Sequence, residues 1–217
     1  MDNTYDKRFS QGLSTEGIFV IRDQTTAYAP GGGLRDNYRS DKGIPTLNFT
    51  DAFYNIATAK AADNRKAWYS NTLQPGYNVL TKYNKDYFDL PIVHLTEIKL
   101  IRAEAGAEIA STNPAALVTA ISDINDILSR AYGSTAQNLP ATASAAGVIN
   151  TVRAERELEL VGEGNRTQEI KRIGARTNVS VDRRGSPWTC NGFILQFPKS
   201  EQDAYSPFQL NPEGGCF

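Results

Sequence analysis

One helical period, sharply punctuated at both ends, narrows the fold most. Leu117, Ile121, Ile124 and Leu128 return every three or four residues, and Ala120, Ile127 and Ala131 widen the stripe. Asn113-Pro114 in front suits the first turn of a helix, and Gly133 behind suits its C-cap. A stripe this wide has to be covered by another element. The preceding segment offers the cover: Leu95, Ile98, Ile101, Ala105 and Ile109 recur at the same spacing, behind Pro91, which is read as opening that helix. Residues 92–132 therefore read as a helical hairpin close in length to one tetratricopeptide-type repeat. The full consensus of that repeat is absent, and so is a second copy.

A third helix is expected from about Ala145 through Glu163, and a shorter one after the Gly164-Asn165 break, ending at Gly174. From Arg153 to Gly174, Leu158, Leu160 and Val161 are interleaved with Arg153, Arg156, Glu157, Glu159 and Glu163, so charge reaches most faces. Two readings stand. One is a solvated face laced with weak i,i+4 pairs. The other places some Arg–Glu pairs between packed helices, where they fix register more than they stabilise. Neither is catalytic.

Glu155-Arg-Glu-Leu-Glu-Leu-Val-Gly-Glu-Gly-Asn-Arg166, followed by Lys171-Arg-Ile-Gly174, resembles the signature of the SusD/RagB family of outer-membrane nutrient-binding lipoproteins. Two more blocks agree in order. Leu95-Thr-Glu97-Ile-Lys-Leu-Ile-Arg102-Ala-Glu104-Ala105 is similar to the family's E-x-x-L-I-R-A-E-A helix, and Phe197-Pro-Lys-Ser-Glu201 with Asn211-Pro212 to its terminal elements. Thr167, Glu169 and Ile173 depart from the pattern. The resemblance implies a mostly α, SusD-like helical domain with long irregular loops and a few short strands. It makes Glu97, Arg102, Glu104, Arg156, Glu159, Glu163 and Arg166 structural, holding helices in register.

The chain of 217 residues suffices for one domain with a sizeable core. Family members are much longer, so it reads as the C-terminal portion of a SusD-like protein. Within a single domain 1–217, residues 1–90 are expected to be loop-rich, 91–174 the helical core and 175–217 irregular. Its start, Met1-Asp-Asn-Thr-Tyr-Asp, lacks the apolar core of a signal peptide; the family's signal peptide and lipid-anchor cysteine are not in this chain. Net charge is −1, from 23 basic and 24 acidic residues, which gives no electrostatic footprint for nucleic acid. Membrane contact is expected only through the absent anchor. Cys190 and Cys216 could close one disulfide or stay as two thiols.

The N-terminal part is punctuated by glycine and proline. Glu16–Arg22 reads as a short strand. Tyr28-Ala-Pro-Gly-Gly-Gly-Leu-Arg-Asp-Asn-Tyr38 reads as a flexible loop, without the Gly-Lys-Ser/Thr ending of a P-loop. It is either a plain surface loop or a ligand-facing one. In the second case Tyr28 and Tyr38 would stack on a sugar ring while Arg35, Asp36 and Asn37 bond hydroxyls. Residues 49–62 read as a helix capped by Thr50, and Asp63-Asn-Arg65 as a turn. Trp68 and Tyr69 are expected to pack, and 193–197 to form a strand stopped by Pro198.

Catalytic constellations are missing. His94, the single histidine, follows Pro-Ile-Val and reads as a packed imidazole. There is no Gly-x-Ser-x-Gly elbow, no metal-ligand spacing and no dinucleotide fingerprint. Glu155, Glu159 and Glu163 sit among arginines, which lower a carboxyl pKa and so unfit it as a general acid. No cofactor and no metal are expected. The resemblance implies a non-enzymatic protein that captures oligosaccharides, or peptides, at the outer-membrane surface and passes them to a SusC-like TonB-dependent transporter. A helical-repeat module that docks a protein and no small ligand is the alternative, with a glycosidase behind it.

Overall fold

The computed structural model describes residues 1–12, 14–22 and 32–216. They fall into two compact units, Met1–Gly162 and Glu163–Phe217. The first contains β1 (Gly17–Ile21), α1 (Gly32–Tyr38), α2 (Asp51–Thr58), β2 (Tyr69–Ser70), β3 (Val79–Leu80), β4 (Leu90–His94), α3 (Leu95–Glu108), α4 (Pro114–Tyr132) and α5 (Ala145–Glu159). The second contains α6 (Arg166–Thr177) and α7 (Lys199–Ala204). The chain is mostly α with a few short strands, as expected.

In the first unit α3 and α4 form the antiparallel hairpin: Lys99 near the start of α3 bonds Asp123 and Asp126 late in α4 (2.9 and 2.6 Å). The α4 stripe is buried as read, with Ile121, Ile124, Ile127, Leu128 and Ala131 in the core, Pro114 in the first turn and Gly133 as C-cap. The α3 stripe is not. Ile98, Ile101 and Ile109 are 39–49% exposed, and the buried face is Thr96, Leu100, Ala103, Glu104 and Ala107. Small residues chose that face. A Cβ at Gly106 would lie 2.7 Å from the Ala116 carbonyl oxygen, so α4 approaches where side chains are least bulky. Pro91 does not open α3 either. It stands in β4 opposite Val20 of β1, in a two-stranded antiparallel pair whose open edge tolerates a residue without an N–H. His94, at the end of β4, is buried.

α5 starts as its sequence directs, with the Ser144 hydroxyl accepting from the Gly147 N–H (3.1 Å). It ends at Glu159, short of the expected Glu163, because the chain must turn at Gly162. That residue has φ +74°, and a Cβ on it would sit 2.9 Å from Leu80 Cδ2. Lys82 closes the helix. Its ammonium donates to the carbonyls of Glu159 and Val161 (3.4 and 3.1 Å), where the helix dipole favours a cation. The rings of Trp68 and Phe9 lie 4.5 and 4.8 Å from it. Thus one cation joins α5 to an aromatic cluster of Phe9, Trp68, Tyr69, Tyr83 and Phe88.

Between these apolar clusters lies a buried knot of charge. Glu159 has no exposed surface, and its carboxylate receives Arg130 (3.0 Å), Arg8 (3.2 Å), Arg65 (3.3 Å) and the Tyr5 hydroxyl (2.5 Å). Glu16 takes Arg130 on its other side, and the Thr96 hydroxyl bridges Arg8, Arg130 and Glu16. Asp63 and Glu155 hold Arg65 (2.7 and 2.6 Å). Burial works against the Glu159 charge, yet Arg130, Arg8 and Arg65 outweigh it and hold the carboxyl at about 2. Burial pushes Glu155 the other way, above the ordinary range.

In the second unit α6 buries Ile170 and Ile173 and runs three residues past the expected Gly174, to close at Asn178 with φ +57°. Cys190 and Cys216 are disulfide-bonded, with Cα atoms 5.3 Å apart. The strand expected over 193–197 is instead a 3₁₀ turn, Asn191–Phe193, followed by irregular chain. There the Gln196 amide takes both the carbonyl and the N–H of Asn211 (2.7 and 2.9 Å), replacing ladder bonds by a side chain.

Candidate functional site

The residues singled out as ligand-facing are divided by the structure. Tyr28 lies outside the described residues. Arg35, Asp36, Asn37 and Tyr38 do not form a loop; they are the last turn of α1. Gly32 and Gly33 disfavour a helix, but the turn closes, with the Arg39 N–H donating to the Arg35 carbonyl (2.7 Å) and the Asn37 side-chain amide donating to the Gly33 carbonyl (2.7 Å). Tyr38 is half-buried, with its ring 5.8 Å from that of Tyr83. Burial raises its pKa. This side chain is engaged in packing rather than standing clear.

The helix turn instead presents a lattice of planar charged groups. Arg39 grips Asp41 with two nitrogens (Nε–Oδ1 2.7 Å, Nη2–Oδ2 3.1 Å) and Asp86 with the third (Nη1–Oδ1 2.7 Å). One turn earlier, Arg35 reaches Asp36 (3.0 Å) and the Asp86 carbonyl (2.8 Å). Arg39 therefore keeps its proton more firmly than usual, and its hydrogen bonds pull Asp41 and Asp86 below the normal carboxylate range. The side chains of Asp36 and Asp86 are 67% and 69% exposed, those of Arg35 and Arg39 22% and 14%.

Neighbouring segments are tied to this turn. Leu47 N–H bonds the Asn37 carbonyl (2.9 Å), Gln74 bonds the Ser40 carbonyl (2.7 Å), and Ser40 bonds Asn84. These segments carry exposed apolar groups: Ile44, Leu47, Leu73 and Tyr77. Fixed planar polar groups beside apolar surface can bind a ligand that has both hydroxyls and C–H faces. Sequence reasoning missed Arg39, Asp41, Tyr77 and Asp86. The i,i+4 spacing of Arg35 and Arg39 was the available signal; nothing local announces Asp86, 47 residues away. Among the described residues no group of histidine, cysteine and carboxylate side chains could hold a metal, and no helix is long and apolar enough to cross a membrane.

The signature residues lie elsewhere. Arg156 of α5 pairs with Glu97 of α3 (3.3 Å), and Arg153 with Glu104 (2.8 Å), so these pairs do join helices. Arg102, 61% exposed, pairs with Asp123 (2.6 Å), and Glu159 centres the buried knot. Glu163 and Arg166 belong to the second unit, where Arg166 donates to the Val181 carbonyl.

The family model of the SusD family matches residues 2–209. The chain belongs to the SusD family. No curated relative matches it. Solved structures agree in fold. A SusD superfamily protein from Bacteroides thetaiotaomicron VPI-5482 gives a TM-score of 0.74 at 23% identity, covering 96% of this chain and 51% of that one. Surface glycan-binding protein A from Bacteroides uniformis gives 0.67 at 17%, covering 97% and 52%. A SusD-like carbohydrate-binding protein from Bacteroides vulgatus ATCC 8482 gives 0.58 at 22%, covering 76% and 36%. This SusD-family chain thus spans about half the length of the first two of these and about a third of the last.

Proposed function

We propose that this chain binds oligosaccharides without transforming them, as part of a longer SusD-family protein at the outer-membrane surface, and that the protein delivers them to a SusC-like TonB-dependent transporter. The observation that carries the reading is the α1 lattice, on a chain whose structural neighbours include a SusD-like carbohydrate-binding protein and a surface glycan-binding protein. Arg39 fixes Asp41 and Asp86, and Arg35 fixes Asp36, so the carboxylate oxygens that face water are already oriented. A sugar that lands there orders few side chains, which lowers the entropic cost of binding. Water bridging such groups is replaced by sugar hydroxyls of similar geometry. Arg156, Glu159 and the other signature residues serve the scaffold.

Isothermal titration of the folded chain against a panel of oligosaccharides and short peptides tests this. Binding of an oligosaccharide that survives Arg156→Ala but is lost in the double variant Asp36→Ala/Asp86→Ala is the expected result. A folded chain that binds peptides and no sugar would overturn it.

A further inference from the structure

The α1 lattice carries a statement about ligand charge, which rests on the glycan-binding reading. Sugar carboxylates and sulfates are held best by guanidinium forks, two parallel N–H donors at a time. The Arg39 fork is closed here, and Arg35 is engaged through two of its three nitrogens. Arg39 spends Nε and Nη2 on Asp41 and Nη1 on Asp86, and Arg35 spends Nε on Asp36 and Nη1 on the Asp86 carbonyl. At Arg39 an anionic sugar would have to evict an aspartate that is already bound at 2.7 Å. Water meets the outer oxygens of Asp36 and Asp86, which accept hydrogen bonds and carry negative charge.

Two lysines stand near. Lys85 is turned to the Phe9 carbonyl and the Ser10 hydroxyl (2.7 and 2.8 Å). Lys42 is exposed, and its charge reaches Asp41 and Asp86. It balances the lattice itself at three cations (Arg35, Arg39, Lys42) against three carboxylates (Asp36, Asp41, Asp86), with Lys85, bonded to neutral groups, a fourth cation beside it. A single flexible ammonium offers one point charge and no fork.

We infer that this surface selects neutral, hydroxyl-rich oligosaccharides and rejects uronate- or sulfate-bearing ones. Hydroxyl donors of a neutral sugar satisfy Asp36 and Asp86, whereas an acidic sugar meets like charge at the same oxygens. Rejection by repulsion and attraction by hydrogen bonding then come from the same two side chains.

The test titrates the chain with neutral gluco-, manno- and xylo-oligosaccharides and with oligogalacturonate and a sulfated glycan, at low and high salt. The expected result is a neutral ligand whose affinity is indifferent to salt, as screening has little to act on. Asp36→Asn/Asp86→Asn, which keeps the shape and removes the acceptor charges, should weaken it by about tenfold or more. The same variant removes two like charges from this surface while the Arg39 fork stays on Asp41, and it should gain binding to oligogalacturonate, a readout that misfolding cannot mimic. Tighter binding of an acidic glycan by the unaltered chain, falling with salt and lost in Arg39→Gln, would overturn the charge assignment while leaving glycan binding intact. Neutral binding indifferent to the double variant would do the same. A folded chain that binds no glycan at all would sink the parent reading and this one with it.

Discussion

Arginine meets carboxylate in two regions of the first unit, with opposite consequences. Around Glu159 the pairs have lost all water; around Arg39 their outer oxygens keep it. The chemistry is the same and the dielectric differs. In the interior each ion has given up several kcal/mol of hydration, so a partner's removal strands the others. At α1 the outer carboxylates, Asp36 and Asp86, stay hydrated, so their pairing contributes little to stability, and what they gain is orientation. Burial therefore separates the pairs that hold the fold from those free to serve a ligand.

The sharpest way to break that contrast is Glu159→Gln. It leaves the guanidiniums of Arg8, Arg65 and Arg130 in the core without their shared carboxylate. We expect a loss of about 3–5 kcal/mol in urea denaturation, enough to unfold much of the chain at ambient temperature. A loss as small as that of a surface pair would mean water reaches the knot.

Acid probes the same knot without mutation. A carboxyl whose folded pKa lies below its unfolded value adds stability that is present above the unfolded pKa and fades as pH falls through the folded one. For Glu159 that window runs from the ordinary 4.5 down to about 2. Glu155, raised by burial, acts with the opposite sign: its contribution is present below 4.5 and is lost as pH rises through its higher folded value. The melting temperature of the chain should fall on acidification below 4.5, and the acid limb should flatten in Glu159→Gln if that variant folds. An acid limb as steep in that variant would move the effect to other carboxylates.

Between the extremes lies Arg156–Glu97, with side chains 10% and 18% exposed, linking α5 to α3. Arg156→Ala should cost about 1–2 kcal/mol and lower the melting temperature by several degrees without touching ligand affinity. Affinity lost at an unchanged melting temperature would put this residue in the ligand site.

How legible these regions were in the sequence depends on how local their causes are. The α4 stripe carries its own period and its own stops, Pro114 and Gly133, and folds as read. The α3 stripe has an equally clear period and points outward, because helix approach was decided at Gly106 against Ala116, a fact of two helices rather than one. Arg156 could be suspected as a register residue from charge interleaved with leucine, whereas Glu97 came only with the family resemblance. Arg8, Arg65 and Arg130 could not, since they converge on Glu159 from 151, 94 and 29 residues away. The α1 lattice was half legible: Arg35, Asp36 and Asn37 drew attention as polar groups beside tyrosines. Their helix was hidden by two glycines, and Asp86 by distance along the chain.

The smallest stability effect belongs to the lattice itself, and it decides the comparison. Arg39→Gln removes a fork that binds two carboxylates, so a view in which ion pairs stabilise wherever they occur predicts a substantial loss. The dielectric argument predicts almost none, since Asp41 and Asp86 simply return to water. What should change is order. Without the fork, Asp86 is free to rotate, and a ligand has to freeze it on binding. Arg39→Gln should leave the melting temperature in place while a neutral oligosaccharide binds more weakly, with the loss mainly entropic in titration calorimetry. If the melting temperature drops as far as in Arg156→Ala, the lattice belongs to the scaffold, and the division between buried and hydrated pairs fails at its exposed end.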